Sequence, residues 1–269
     1  MNFARTVIHL CSSFKSYRDI RDLPATASVR YLLKLLALLA LLLVGSFIPA
    51  AFHGCNEFVS RFDQNRPVFS LHDGHVTSDA KQPFSWGDDG LRFILDTTGQ
   101  VTQPDPKTLR GILFMADSFS FWIKATNAPD ARAFTHEQKL AGFPDGIVTG
   151  EYIGHLVTAS LWLTAPFLWV LLILVGMLTC LLQAYLFSIA ASFLERVMPS
   201  PIRLNQLLNI AIHAVTPAAI IVTAYTAMQL KGLDLWLIYL IAYGIFLIGA
   251  TNACRDRSAM EESHEDDWL

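Results

Sequence analysis

Charge is scarce in this chain, and catalytic punctuation is scarcer. Only 16% of its 269 residues are Asp, Glu, Lys or Arg, while 53% are hydrophobic and the mean hydropathy is +0.40. The formal net charge of −3 leaves no basic excess, so no nucleic acid is expected as a partner. No Gly-rich phosphate loop, nucleophile elbow or His-Glu-x-x-His pair occurs. The four cysteines are scattered: Cys11, Cys55, Cys180 and Cys254. Only Cys55 falls in the segment read below as external, so no internal disulfide is expected. Asn-x-Ser/Thr sequons are missing too. Both absences suit a bacterial plasma (inner) membrane. From these gaps we expect no enzymatic activity and no cofactor.

What the chain does have is four long apolar segments. Residues 32–52 read LLKLLALLALLLVGSFIPAAF, with Lys34 as the only charge. Residues 166–193, 207–230 and 235–253 are similar. A helix rises about 1.5 Å per residue and the hydrocarbon core is about 30 Å thick, so each can cross it. The backbone has no water to bond to in lipid, so each crossing must be helical. The first apolar run begins too late and is too long for a cleaved signal peptide, which predicts an uncleaved anchor.

Cations set the orientation. Arg5, Lys15, Arg18, Arg21, Arg30 and Lys34 precede the first span, against Asp19 and Asp22. Arg196 and Arg203 lie between spans two and three, and Arg255 and Arg257 follow span four. Short Lys- and Arg-rich loops stay cytoplasmic, which places both termini inside. The predicted fold is therefore an α-helical membrane protein with four transmembrane helices. A small β-rich (α+β) extracytoplasmic domain is inserted between transmembrane helices 1 and 2. The expected organisation is a cytoplasmic flank over 1–31, span one over 32–52 and the external domain over 53–154. A long second helix over 155–194, a cytoplasmic loop over 195–206, spans over 207–230 and 235–253 and an acidic tail over 254–269 complete it. Glu261, Glu262, Glu265, Asp266 and Asp267 make that tail a solvated end.

In the flank, Phe3, Val7, Ile8, Leu10, Cys11 and Phe14 fall roughly on one helical face, with Arg5, His9, Lys15 and Arg18 between and after them. That pattern fits a helix in the headgroup plane or a plain basic flank, ended by Asp22-Leu23-Pro24. The external segment opens with PVFSLHDGHVTSD, whose Asp73-Gly74 separates two short runs and signals a hairpin. Asp89-Gly90 and Thr98-Gly99 are further turns, and GILFMADSFSFWIKA reads as strand or short helix. A small antiparallel sheet or meander over 67–124 would put Val68, Phe84, Trp86, Phe93, Leu95 and Val101 on its apolar face. From about Thr135 the pattern turns more helical, with cap-like Thr135-His136-Glu137-Gln138 and a run from Asp145 to Ala159 leading into span two.

Candidate chemistry is thin. His72 and His75 flank the hairpin turn and could pair on a metal, with Asp79 or His53 as further ligands, although two wet turn residues is the simpler reading. Asp96-Thr97-Thr98-Gly99 looks faintly like an aspartic-protease turn, but the extra Thr breaks that pattern and a strand-ending turn is favoured. His213 stands at membrane depth in span three, one turn after Asn209 and ahead of Thr216 and Pro217. A group of that kind should face the bundle interior and find a partner, as a ligand or proton pathway with Gln183 of span two, or as a His bonded across helices. Lys231 and Asp234 belong to the outer interface, where Trp236, Tyr239 and Tyr243 begin an aromatic belt.

The stretches FKSYRDIRDLP, PVFSLHDGHVTSDAKQPF and DDGLRFILDTTGQV resemble the bacterial membrane family 1189 of domains of unknown function. The likeness runs from about Phe14 to Ala253, and its members include maltodextrin-utilisation proteins. HAVTPA in span three is also similar to the Tyr-Ala-x-x-Pro feature of Yip1-like membrane proteins, with His213 where an aromatic often sits. The resemblance implies a multi-spanning plasma membrane protein accessory to uptake or envelope processes. It brings no catalytic residues. Partners expected are the lipid bilayer, other membrane or envelope proteins, and further copies in an oligomer. Two function classes follow: a non-enzymatic module presenting its external domain to a partner or ligand, and a transporter or channel subunit built around His213.

Overall fold

The computed structural model describes residues 3–88, 90–101, 108–126, 133–195 and 202–266, with side chains described to 193 in the third helix and to 255 in the fifth. Asp89 of the second turn, Arg196, and the side chains of Arg257 and the acidic tail lie outside this set. The chain is a mixed α and β protein that divides into two compact units, residues 1–49 with 164–269, and residues 50–163.

The first unit is helical. Helix α1 (Phe3–Ser12) and a 3-10 turn (Phe14–Tyr17) precede α2 (Ala25–Asp63), and α3 (Gly150–Glu195), α4 (Leu204–Ala227) and α5 (Leu235–Asp266) follow. Helices α2 to α5 are each long and apolar enough to cross a membrane. Helices α2, α3 and α5 overrun the apolar windows of the sequence, while α4 keeps the length of its window but starts and ends three residues earlier. The 39 residues of α2 make about 58 Å of helix, twice what a bilayer core of about 30 Å requires. Within the best apolar stretch, 61% of α4 is buried, against 22%, 11% and 17% for α2, α3 and α5. Helix α4 is therefore the axis of the unit, and the others turn most of their apolar surface outward. The reason is composition: Ala211, Ala214 and Ala218 of α4 are fully covered, small enough to let neighbouring backbones approach.

The flank does not lie free. Leu10 is buried in the helical core with Phe3 and Val7 packed against it, while Ile8 and Cys11 stay exposed. Phe14 reaches the fifth helix, its ring 5.3 Å from Phe246 and covering Gly249. Burying Phe3, Val7 and Leu10 on protein is a different use of that face from the lipid contact expected of it.

Among the described residues the second unit holds eight strands, in chain order between α2 and α3. Strands β1 (Ser70–His72), β2 (His75–Thr77) and β8 (Gly146–Ile147) form an antiparallel sheet in the order β2-β1-β8. The hairpin is as the sequence predicts: His72 pairs with His75, and Asp73 and Gly74 both take positive φ, 48° and 78°. A side chain at position 74 would press on the Ala141 backbone at 3.1 Å, so glycine is required twice over.

A second sheet runs β3 (Phe84–Gly87), β4 (Arg92–Leu95), β5 (Arg110–Phe114), β6 (Ser118–Lys124), β7 (Ala133–Lys139) in spatial order. It is no meander. β4 and β5 are parallel, so a tight hairpin turn cannot join them. The helical reading from Thr135 is also wrong. Residues 133–139 are strand β7, pairing Lys124 with Ala133 through Ser118 with Lys139, and α3 begins only at Gly150. Thr135 to Gln138 is cap-like in composition, but Phe134 and Thr135 also suit an edge strand, and pairing with β6 decided.

Phe62, at the end of α2, is the hub of this unit. Its ring lies within 6.3 Å of Phe69, Trp86, Phe93 and Phe114, and its carbonyl accepts the Trp86 indole N–H at 2.8 Å. Of the expected apolar face, Trp86, Phe93 and Leu95 are buried, whereas Val68 is 71% exposed and Phe69 takes the inward place. The neighbouring strand position flips the side chain to the opposite face. Behind the sheet, Ile94, Leu113 and Trp122 form a smaller cluster. Gly111 makes room for it: a Cβ there would overlap the Trp122 ring and stand 2.5 Å from the Arg92 carbonyl. Gly111→Val is therefore expected to overpack the sheet and cost about 1–3 kcal/mol. The check is faster limited proteolysis within residues 50–163 of the full-length protein in detergent.

Candidate functional site

Asn209, His213 and Thr216 are spaced i, i+4, i+7 and so share one face of α4. All three are buried, with His213 at 1% exposure. The segment leading into α2 covers that face. The Asn209 side-chain amide donates to the carbonyls of Arg21 at 3.0 Å and Leu23 at 2.5 Å, and its oxygen accepts from the Ser28 hydroxyl at 2.9 Å. Those carbonyls lie at and just before the turn Asp22-Leu23-Pro24, outside any α-helix. One turn further, the Tyr31 ring stacks on His213 with centroids 4.5 Å apart, and its hydroxyl bonds Thr216 at 2.9 Å. Phe3 closes the outer side of Tyr31 at 5.6 Å.

His213 bonds within its own helix rather than across helices: Nδ1 lies 2.9 Å from the Asn209 carbonyl. A carbonyl only accepts, so Nδ1 carries the hydrogen, and in the uncharged ring Nε2 is left as an acceptor. It has no hydrogen-bond donor among the described residues. Gln183 does not join this cluster. Its oxygen accepts from the Tyr239 hydroxyl at 2.8 Å, tying α3 to α5. Tyr239 stacks on Tyr243, whose hydroxyl donates to the Ala211 carbonyl at 3.3 Å. Ser28 and Tyr31 were missed in the sequence. The readable signal was there: two polar residues one turn apart at the entry of an apolar helix.

The cations expected to set the orientation divide into two kinds. Arg18 Nε donates to the Ala253 carbonyl at 2.7 Å, and an Arg21 nitrogen donates to the Cys254 carbonyl at 3.1 Å, so both hold the flank to α5. Asp22 accepts from Gln206 at 2.6 Å on α4. Arg255 donates to Asn252 at 3.3 Å. Arg30, Lys34 and Arg203 point outward and exposed. At the other end of the unit, Asp234 caps α5 by accepting from the Trp236 and Leu237 N–H groups.

In the strand unit, His72 and His75 pair across the hairpin and both are exposed. His72 Nδ1 lies 2.9 Å from a carboxylate oxygen of Asp145, and the other oxygen accepts the Asp73 N–H. Among the described residues no group of three or more His, Cys, Asp or Glu is arranged to hold an ion. The Asp96-Thr97-Thr98-Gly99 stretch is a strand-ending turn. Asp96 is 1% exposed and accepts from the Thr98 hydroxyl at 2.6 Å, the Thr98 N–H at 3.0 Å and the Val101 N–H at 2.5 Å. Burial pushes its carboxyl up, but those hydrogen bonds to the charged form outweigh it and hold the group below its ordinary value.

A carboxylate held below its unfolded pKa of about 3.9 stabilises the fold above that pH, and the contribution is lost as pH falls through the lower folded value. Asp96→Asn should therefore weaken residues 50–163 by about 1–3 kcal/mol at neutral pH and remove part of the acid sensitivity below pH ~4. Denaturation followed across pH by proteolysis of that unit measures both. Asn209→Ala should strand the Arg21 and Leu23 carbonyls, lowering the stability of the helical unit by about 1–3 kcal/mol and loosening the flank. Hydrogen exchange over residues 3–24 in detergent reads the loosening.

No curated protein and no solved structure matches this chain. Residues 8–251, nearly the whole chain, match the family described as proteins of unknown function, DUF1189, and the chain belongs to that family.

Proposed function

We propose that this is a non-enzymatic integral membrane protein of a bacterial plasma membrane, which presents its strand unit outside the cytosol to bind a partner protein. One observation carries the reading. Every residue of β7 except Ala133 is exposed along the open edge of the five-stranded sheet. Beside it, Phe134 and Ile123 are 66% and 48% exposed on one face, with Phe121 packed against Phe134 and His136. An edge with free backbone groups and flanking apolar side chains is what an added strand from another protein requires. The cation bias supports the sidedness, since Arg18, Arg21, Arg30, Lys34 and Arg203 gather at one end of the helical unit. An accessory role in an envelope or uptake system, maltodextrin use included, is the setting suggested by family resemblance. Yip1-like kinship adds nothing to it.

A photo-crosslinking residue at position 134, irradiated in native membranes, is expected to capture one discrete partner band. The same residue at exposed Lys81 should not, and Phe134→Glu should abolish co-purification of that partner. Gentle solubilisation that yields neither crosslinked nor co-purified protein from position 134 contradicts the reading.

A second reading, a transporter or channel subunit, is favoured by the unoccupied acceptor Nε2 of buried His213 beside Tyr31 and Thr216. Four spans with no evident repeat would then need an oligomer or a partner. His213→Ala should reduce uptake at least tenfold on that reading, and unchanged uptake across substrates removes it.

A further inference from the structure

Two like charges stand one turn apart on α2. Arg30 and Lys34 are both exposed, and neither has an acidic partner among the described residues. At i, i+4 their Cβ atoms are about 5–6 Å apart, and such a pair of cations repels unless an anion sits between. Lys34 also lies inside the apolar run, with exposed Leu33 before it and exposed Leu38 and Leu41 after it. Its ammonium must therefore rise toward the membrane surface, at phosphate depth.

The same stripe of α2 continues away from the cations. Residues 30, 34, 38, 41 and 45 follow the three-to-four spacing of one helical face. Along it, Leu41, Gly45 and Ser46 of α2 face Ile220, Thr223 and Ala224 of α4 across an apolar groove of about 510 Å³. Lys34 and Gly45 are eleven residues apart, about 16 Å along the helix, which is the depth of one leaflet of a core about 30 Å thick.

We propose that this stripe binds one anionic phospholipid, its phosphate held between Arg30 and Lys34 and an acyl chain lying along Leu38 and Leu41 into the groove at Gly45. The site is separate from the β7 edge and from His213. A zwitterionic headgroup brings its own cation to the pair and loses the advantage, so selectivity for net negative lipid follows from the charge.

The test uses the full-length protein purified in mild detergent, with retained lipid counted by native mass spectrometry. Dioleoyl phosphatidylglycerol and dioleoyl phosphatidylcholine are offered in equal amounts. The wild type should keep phosphatidylglycerol at least tenfold better. Arg30→Gln with Lys34→Gln should cut that retention about 30-fold, from roughly one favourable surface contact per cation. Arg5→Gln with Lys15→Gln, which alters exposed cations elsewhere on the flank, should leave it unchanged. A Cβ at Gly45 meets nothing within 4 Å, so Gly45→Leu starts into open space at the groove and should lower retention of the long-chain lipid while melting as wild type does. Equal retention of both lipids, an unaffected Arg30/Lys34 variant, an Arg5/Lys15 variant that loses as much, or an indifferent Gly45→Leu would each overturn the proposal.

Discussion

A polar group taken out of water must be met by another, and the helical unit is arranged around that requirement. Asn209 sits in an apolar helix, where an unpaired amide costs more than any single packing contact returns. Its answer is the turn after the flank, whose Arg21 and Leu23 carbonyls need donors as much as Asn209 needs acceptors. The two deficits cancel. Ser28 and Tyr31 extend the same arrangement to Thr216, and Arg18 and Arg21 fasten the flank to α5. Without Asn209 the N-terminal segment would keep its apolar contacts through Leu10 and Phe14 and the Arg18 and Arg21 bonds to α5, but lose the bonds that tie the turn to α4.

The strand unit solves a different problem. About 110 residues give a modest core, and this one is concentrated in interlocking aromatic rings around Phe62. Phe62 lies in the last turns of α2, which belong to this unit, so the sheet packs onto that end of the helix. The spatial order β3-β4-β5-β6-β7 puts β7 last and so leaves it as an edge of the sheet.

Legibility in the sequence followed the range of the forces. The four apolar helices and the Asp73-Gly74 hairpin rest on local hydropathy and φ preference, and both were readable. The long α3 was readable to within a turn or so, whereas the length of α2 was not, because its ends run past the continuous apolar stretch. Strand β7 was misread as helix because residues 133–139 carry no clean alternation and take their conformation from β6. The parallel pairing was invisible for the same reason, being a long-range choice. At the candidate site the spacing of Asn209, His213 and Thr216 was legible from helical periodicity, while Tyr31 and Ser28 came from a segment more than 180 residues earlier. Gln183 was grouped with them by depth alone, and it serves Tyr239.

The partner-binding account stands on the strand unit facing outward while the flank faces the cytosol. Cysteine accessibility measures this most directly. In a background lacking the other thiols, intact cells treated with a membrane-impermeant maleimide should label a Thr135→Cys variant in exposed β7 and leave the exposed Cys11 of α1 unlabelled until the membrane is opened. Labelling of Cys11 in sealed cells, with Thr135→Cys protected, would invert the orientation and contradict the account.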